Sequence, residues 1–330
     1  MQAWQVQGAG DPAAVLRRVE LAVPEPGPGE IRIRVAAAAV GMPDVFLCRG
    51  TYAFVPPLPF VPGQEVYGTV DGVGVGVDGL GTGPGARVMA VTNFFDGRGG
   101  LAEFAIARAE SAFRVPDAMA STDAAGFRIG CSTAWVGLVR RGGLTAGEIL
   151  LVLGAAGGSG AAAVALGHAL GARVVAVVSD DAKAALCRSL GADVVVDRTT
   201  TVVPDAVLAA TDGHGADVVY DPVGGEAAAA TVDCLARDGR LLAVGFASGA
   251  WAAPDLWQVV RRNASVVGVY AGGYTRAEHE ADHEALCALV ARGALPLATR
   301  VVGFDAVPAA LTEVAAGRAV GKTVVQVAGP

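Results

Sequence analysis

The stretch "ILLVLGAAGGSGAAAVALG", Ile149 to Gly167, carries no formal charge and is almost long enough to span a membrane. It can be one apolar helix, or a strand, a turn and a helix folded around a phosphate. Its internal order favours the second reading. Ile149 to Leu153 is a short apolar run, the length of a buried parallel strand. Gly154 to Gly160 then places four glycines in seven residues. In a helix interior each would cost about 1 kcal/mol relative to Ala. From Ala161 to Leu170 the residues are those of a helix, and Gly171 suits the position just past its end. Strand, glycine turn and helix make a pyrophosphate site. The glycines admit the phosphates to the backbone, and the helix start offers N–H groups and a positive dipole end. The spacing is A-x-G-x-x-G over Ala155, Gly157 and Gly160, without the usual first glycine. Ala155, Ala156, Gly157, Gly158, Ser159 and Gly160 are the expected cofactor-binding residues. Such a motif needs context.

The context lies on both sides. "GARVVAVV" from Gly171, "GADVVVD" from Gly191 and "GADVVYD" from Gly215 each set a glycine before a β-branched run. Helical segments are expected at Ala182 to Leu190 and Ala206 to Ala210. "GRLLAVG" (Gly239–Gly245) and "ASVVGVY" (Ala264–Tyr270) supply two more strands. Six strands with helical crossovers predict an α/β fold, a doubly wound parallel sheet of Rossmann type over 125–271. A dinucleotide would lie across the carboxyl ends of its strands.

The rest of the chain reads differently. "VPEPGPGEIRIRVAAAAV", "VPPLPFVPG" and "DGVGVGVDGLGTGPGARVMAV" are short strands split by Pro and Gly, as in a β-barrel with long loops. Two helices, near 276–292 and 306–317, and a last strand "KTVVQV" follow. The 330 residues suit two domains. Hydrophobic residues make up 53%, but Ala, Val and Gly carry the excess and aromatics are only 6%, unlike a lipid-facing protein. With a net charge of −7 and no basic tract longer than a pair, no nucleic-acid partner is expected. Cys48, Cys131, Cys187, Cys234 and Cys287 are scattered, which is neither a disulfide framework nor a clustered zinc site. The segment "MQAWQVQGAGDPAAV" lacks a basic region followed by an apolar core, so no signal peptide is read and the reducing cytoplasm is expected. "HEADH" (His279–His283) fits H-E-x-x-H, but Thr275 and Glu278 form a T-x-x-E capping box, the ordinary start of a helix.

The order of these segments resembles the medium-chain dehydrogenase/reductase superfamily, and within it the zinc-independent quinone oxidoreductase branch that includes zeta-crystallin. The carriers are "PDVFLCRGTYAFVPPLPFVPGQEVYGTV", "STAWVGL", "LGAAGGSG", "SLGADVVVD", "GADVVYDPVGG", "GRLLAVGFASG", "NASVVGVY" and "GKTVV". The resemblance implies a GroES-like β-barrel catalytic domain over 1–124 and 272–330, a Rossmann domain over 125–271, and a substrate cleft between them. It also implies a homodimer, with Ala264–Tyr270 as an apolar edge strand that a partner covers. Zinc-dependent relatives hold their catalytic metal with a Cys, a Gly-His-Glu and a second Cys. Gly41, Gln64 and Ile129 stand in those places here, so no metal is expected.

An NAD-preferring site has a carboxylate at the end of the second strand. That place is Val178, followed by Ser179, and Lys183 and Arg198 can reach a 2′-phosphate there. NADPH is therefore the expected cofactor, although Asp180 and Asp181 oppose it, and Lys183 and Arg198 also read as ordinary surface charges. Gly245, Phe246 and Tyr270, at strand ends, are expected to border the cofactor, although Phe246 and Tyr270 read equally as core residues, and the resemblance adds Lys322. The branch carries Asn and two Tyr around its active site. Gly41, Phe46 and Tyr52 stand there, which leaves Tyr52 as the candidate donor to a carbonyl oxygen, or else as a packed loop aromatic. Thr133 is expected near the nicotinamide, or else as a helix cap. The implied reaction is hydride transfer to a quinone or other conjugated carbonyl. The alternatives are an enoyl reductase acting on an α,β-unsaturated ketone or thioester, and an NADPH-binding protein without turnover.

Overall fold

Strands covered on both faces need no polar alternation, and the second half of the chain has that composition. The computed structural model describes residues 1–77, 81–117 and 119–327. The chain divides into two compact units. One holds Met1–Ile129 and the return segment from Thr299, and the other is Gly130–Ala298.

The second unit contains a six-stranded sheet in the order Ser265–Gly268, Leu235–Ala243, Ala216–Asp221, Ile149–Val152, Arg173–Val178, Val194–Asp197. Every neighbouring pair is parallel. The Ile149–Val152 strand is buried at all four positions. From it the chain moves outward one way, through Arg173–Val178 to Val194–Asp197. It then crosses back to Ala216–Asp221 and continues the other way. The strand order therefore reverses between Ile149–Val152 and Ala216–Asp221, and a crevice at such a reversal is where doubly wound sheets bind ligands. The opening stretch is a strand, a turn and a helix, and no helix among the described residues is long and apolar enough to cross a membrane.

The helix after the turn spans Gly158–Ala169, three residues earlier than its composition predicts. Gly158 and Gly160 lie in its first turn, and at Gly160 the close approach described below, rather than propensity, selects glycine. Gly171 follows the helix at φ +83°, in the left-handed region expected of it. The next helix, Asp181–Ser189, is capped by Asp180, whose carboxylate accepts the Lys183 N–H.

In the first unit, Glu30–Val40 organises the barrel. Its eleven residues pair antiparallel with Glu65–Val73, Phe104–Arg114 and Lys322–Gln326. Arg87–Thr92 joins Glu65–Val73 to Phe104–Arg114 and closes the ring. Ile31, Ile33, Val66, Val88, Ala105 and Leu311 are fully buried in its core. The segment "VPPLPFVPG" forms no strand and contributes only single bridges at Phe60 and Val61, because its four prolines cannot donate to a ladder.

The unit boundaries fall at 129/130 and 298/299 rather than at 124/125 and 271/272. The helix Arg276–Ala291 thus belongs with the parallel sheet's unit. Arg140 explains this: its Nε donates to both oxygens of Asp282 at 2.9 and 3.0 Å, and its guanidinium lies 5.1 Å from the Tyr274 ring centre. A contact between residues 142 positions apart leaves no mark in local sequence. Thr275 and Glu278 cap this helix reciprocally, as their spacing predicts. Within "HEADH", Glu280 pairs with Arg276 and His283 faces Cys287 at 3.5 Å.

Candidate functional site

The turn after Ile149–Val152 is built by close backbone approach. Gly154 takes φ +54°, and the Gly157 N–H returns to its carbonyl at 2.9 Å. A Cβ on Gly160 would stand 2.2 Å from Gly154 O and 2.9 Å from the Ala155 Cα, so the helix start fits onto the turn only without a side chain. The bond from Ala161 N–H to Gly157 O, at 2.8 Å, is the first regular bond of the helix. The Gly158, Ser159 and Gly160 amides precede it and form the unsatisfied end of a twelve-residue dipole. Ala155 and Ala156 are buried beneath the turn, while Gly157, Gly158 and Ser159 are half-buried. A backbone cradle that a Cβ at Gly160 would obstruct, at the strand reversal, fits the pyrophosphate of a dinucleotide.

Ser179 follows the second strand, and Arg198 follows the third. The Arg198 N–H donates to Val178 O at 3.0 Å, which sets Arg198 beside the end of the Ser179 strand. Its side chain is exposed and has no hydrogen-bond or ion-pair partner among the described residues. Lys183 Nζ donates to Ser179 Oγ at 2.6 Å and pairs with Asp180 at 3.0 Å. The backbone N–H and ammonium of Lys183 hold the Asp180 carboxyl below its usual range. Asp180 is therefore an ionised helix cap whose charge is balanced by Lys183 and the helix start, which weakens the repulsion of a 2′-phosphate that its charge alone implies.

The crevice's other lip comes from strand ends the sequence marks only in part. The Gly245 N–H donates to Asp221 O at 3.1 Å, and a Cβ on Gly245 would lie 2.9 Å from Pro222 O. Phe246 is half-buried against Trp251, with ring centres 4.9 Å apart. Tyr270 lies beyond the end of the edge strand and is 74% exposed. Asp221 is missed by sequence reading. It is fully buried, and its Oδ1 accepts the Val223 and Gly224 N–H groups at 2.8 Å each. Desolvation pushes its carboxyl up, and Oδ2 has no hydrogen-bond partner among the described residues. The Asp-Pro-Val-Gly-Gly run was the available signal. Thr133 is half-buried near the end of the helix Ser121–Trp135, so it does not cap the helix start. A π-helical turn, Val136–Arg141, follows.

The barrel unit gathers a different cluster. Asp44 accepts the Gly41 and Gly63 N–H groups at 2.9 and 3.0 Å, and burial pushes its carboxyl up to about 6. Glu65, 1% exposed at its side chain, pairs with Lys322 and accepts the Ile129 N–H at 2.7 Å. Gln64 is buried and its Nε2 has no partner among the described residues. Gly41, Gln64 and Ile129 provide one polar side chain between them. No group of three or more His, Cys, Asp or Glu among the described residues is placed to hold a metal. Lys322 stands in this cluster with its ammonium engaged by Glu65. Tyr52 packs against the barrel core and stacks on Phe95, with centroids 6.4 Å apart and planes at 15°.

Comparison with known proteins agrees with this division. Residues 27–117 match the family model "Alcohol dehydrogenase GroES-like domain", and residues 158–290 match "Zinc-binding dehydrogenase". The chain is 32% identical to mouse Quinone oxidoreductase-like protein 2 over 281 residues, which is 83% of this chain and 79% of that protein. Mycobacterial Rv1454c, solved in complex with NADPH, superposes with a TM-score of 0.90 at 30% identity, covering 99% of this chain and 100% of the other. A segment of the mycocerosic acid synthase-like polyketide synthase of Mycolicibacterium smegmatis is 33% identical over 221 residues, 67% of this chain and 10% of that one.

Proposed function

The chain belongs to the medium-chain dehydrogenase/reductase superfamily of oxidoreductases, and we propose that it reduces a quinone or other conjugated carbonyl with NADPH and without a metal. The observation that carries this reading is the Gly154–Gly160 cradle, where a Cβ at Gly160 would strike Gly154 O at 2.2 Å. Bound NADPH supplies the hydride. The chain's own residues bind and orient it. The first-turn amides face the pyrophosphate, Ser179, Lys183 and Arg198 meet the 2′-phosphate, and Gly245, Phe246, Tyr270 and Thr133 border the nucleotide. The NADPH complex of Rv1454c supports the choice of cofactor.

With Gly41, Gln64 and Ile129 in the places of metal ligands, charge developing on a carbonyl oxygen needs a protein donor. Tyr52 fills that role. A tyrosine phenol carries one O–H that can donate a hydrogen bond to that oxygen. An acceptor that is already electron-poor asks less of such a donor than a simple ketone does. The part of Lys322 in this reading rests on the resemblance alone, since its ammonium pairs with Glu65. The similarity to a polyketide synthase segment favours reduction of an α,β-unsaturated thioester as a second reading.

The protein acts as a homodimer in this reading. Ser265–Gly268 is a sheet edge with Val266 47% exposed, and the preceding helix exposes Leu256, Trp257 and Val260 by 64–71%. Exposed apolar edges of this kind are normally covered. A monomer by light scattering at micromolar concentration contradicts the dimer. Four of the five cysteines are buried, and the cytoplasm is the compartment in this reading. The functional test is NADPH oxidation with 9,10-phenanthrenequinone, with crotonyl-CoA and with no acceptor. Turnover with the quinone supports the first reading, and turnover with crotonyl-CoA alone the second. Tight NADPH binding with no turnover leaves a binding protein. Activity lost to a chelator, with about one zinc bound per chain, overturns the metal-free mechanism.

A further inference from the structure

Ser159 Oγ and Tyr220 Oη lie 2.7 Å apart. We propose that Tyr220 is a positioning residue for the pyrophosphate site: its phenol donates to Ser159 Oγ and so leaves the serine's own O–H to be given to a cofactor phosphate. This inference rests on the NADPH reading above.

Two hydroxyls in contact can share either proton, and burial decides which. Tyr220 is fully buried on the strand beside Ile149–Val152, opposite Val152. Ser159 Oγ is the sole hydrogen-bond partner of its hydroxyl among the described residues. If Tyr220 accepted, its own proton would be left in the core with only the weakly accepting Cys131 thiol nearby, and a poorly made buried hydrogen bond is the costly case. If it donates, the phenol is satisfied. Ser159, half-buried in the first helical turn beside the Gly158 and Gly160 amides, can then direct its proton outward. A hydroxyl that accepts a hydrogen bond is also polarised into a better donor. Burial raises the Tyr220 phenol above its ordinary range, which keeps it protonated.

The ring is held in this pose. A Cβ on Gly137, in the π-helical turn, would lie 2.9 Å from Tyr220 Cε2, so that turn packs against the ring edge only as glycine. The Leu153 N–H donates to Tyr220 O at 3.1 Å, which ties the tyrosine's backbone to the residue that enters the phosphate turn. The phenol therefore reaches the helix start from below, on the same scaffold that carries the turn.

The test is a cycle of Tyr220→Phe, Ser159→Ala and the double variant. Each is titrated by protein fluorescence with NADPH and with 2′-AMP, which lacks the pyrophosphate. Each single variant is expected to weaken NADPH roughly three- to tenfold, the range of one hydrogen bond. The double variant should be no weaker than Ser159→Ala, and 2′-AMP affinity should not change. Installing 4-aminophenylalanine at position 220 keeps an N–H donor and should restore NADPH affinity, which also covers the case that Tyr220→Phe folds poorly. Additive losses in the double variant, a parallel loss of 2′-AMP, or an unrescued amino variant overturns the role. If Ser159→Ala weakens NADPH and Tyr220→Phe does not, this inference alone fails. If the wild type binds no NADPH, the broader reading fails with it.

Discussion

The phosphate turn and the polar cluster of the barrel are both tightly built, by opposite means. In Gly154–Gly160 the chemistry is carried mainly by backbone, and at Gly160 a side chain is absent because there is no room for one. Around Gly41 it is carried by the side chains of Asp44, Gln64, Glu65 and Lys322, gathered from three distant parts of the chain. The first arrangement is local and tolerates few residue types, while the second is assembled only by folding. A site made of backbone can therefore be read as a spacing, and a site made of side chains cannot.

The contrast is broken most sharply at Lys322. If the barrel cluster depends on side chains, Lys322→Met leaves Glu65 charged and buried without its partner. The expected loss is about 3–5 kcal/mol in a denaturant melt. Lys322→Met with Glu65→Gln should recover much of it. A single variant as stable as wild type would make the pair incidental.

Tyr52 tests whether the barrel contributes chemistry as well as structure. Tyr52→Phe keeps the ring on Phe95 and removes the hydroxyl. Its kcat is expected to fall roughly 10–1,000-fold, the range of one oxyanion donor or less, with the thermal midpoint and NADPH affinity nearly unchanged. Wild-type turnover would reduce Tyr52 to packing, and an early melt would assign it to the fold.

Asp44 gives the cluster a pH signature that a backbone site lacks. Burial raises its pKa from the ordinary 3.8 to about 6. The native state thus holds this proton more tightly than the unfolded chain does. The contribution is fully present below about pH 4 and is lost as pH rises through about 6, a change on the order of 3 kcal/mol. Asp44→Asn has no such proton. The midpoint of the wild type relative to that variant should fall between pH 4 and pH 7, and parallel profiles would contradict the assignment.

The smallest effect belongs to the edge of the dinucleotide site. Arg198→Ala should remove most of a roughly 10–100-fold preference for NADPH over NADH, equal to about 1.5–3 kcal/mol of charge-assisted bonding. A preference that survives intact would transfer the role to Ser179 and Lys183.

The parallel sheet was legible because three of its strands follow a glycine and the other three contain short apolar runs, and strand boundaries differ from expectation by only a few residues. The capping box at Thr275 and Glu278 was legible for the same local reason. Asp221 and Tyr220 were not, because an acidic or aromatic residue at a strand end looks alike whether it faces water or is sealed against a loop. The place of the helix Arg276–Ala291 was hidden because Arg140 and Asp282 fix it across 142 residues. The role of Asp180 was misleading in sequence, since its charge suggests repulsion of a phosphate while its position makes it a helix cap.

The central claim is that the turn at Gly154–Gly160 and the residues at the ends of the next two strands hold NADPH. Equilibrium titration of the wild-type protein with NADPH and with NADH, under one buffer and salt, tests it most directly. The account predicts saturable binding of both, with NADPH tighter by roughly 10–100-fold. Superimposable curves, or no binding of either, would contradict it.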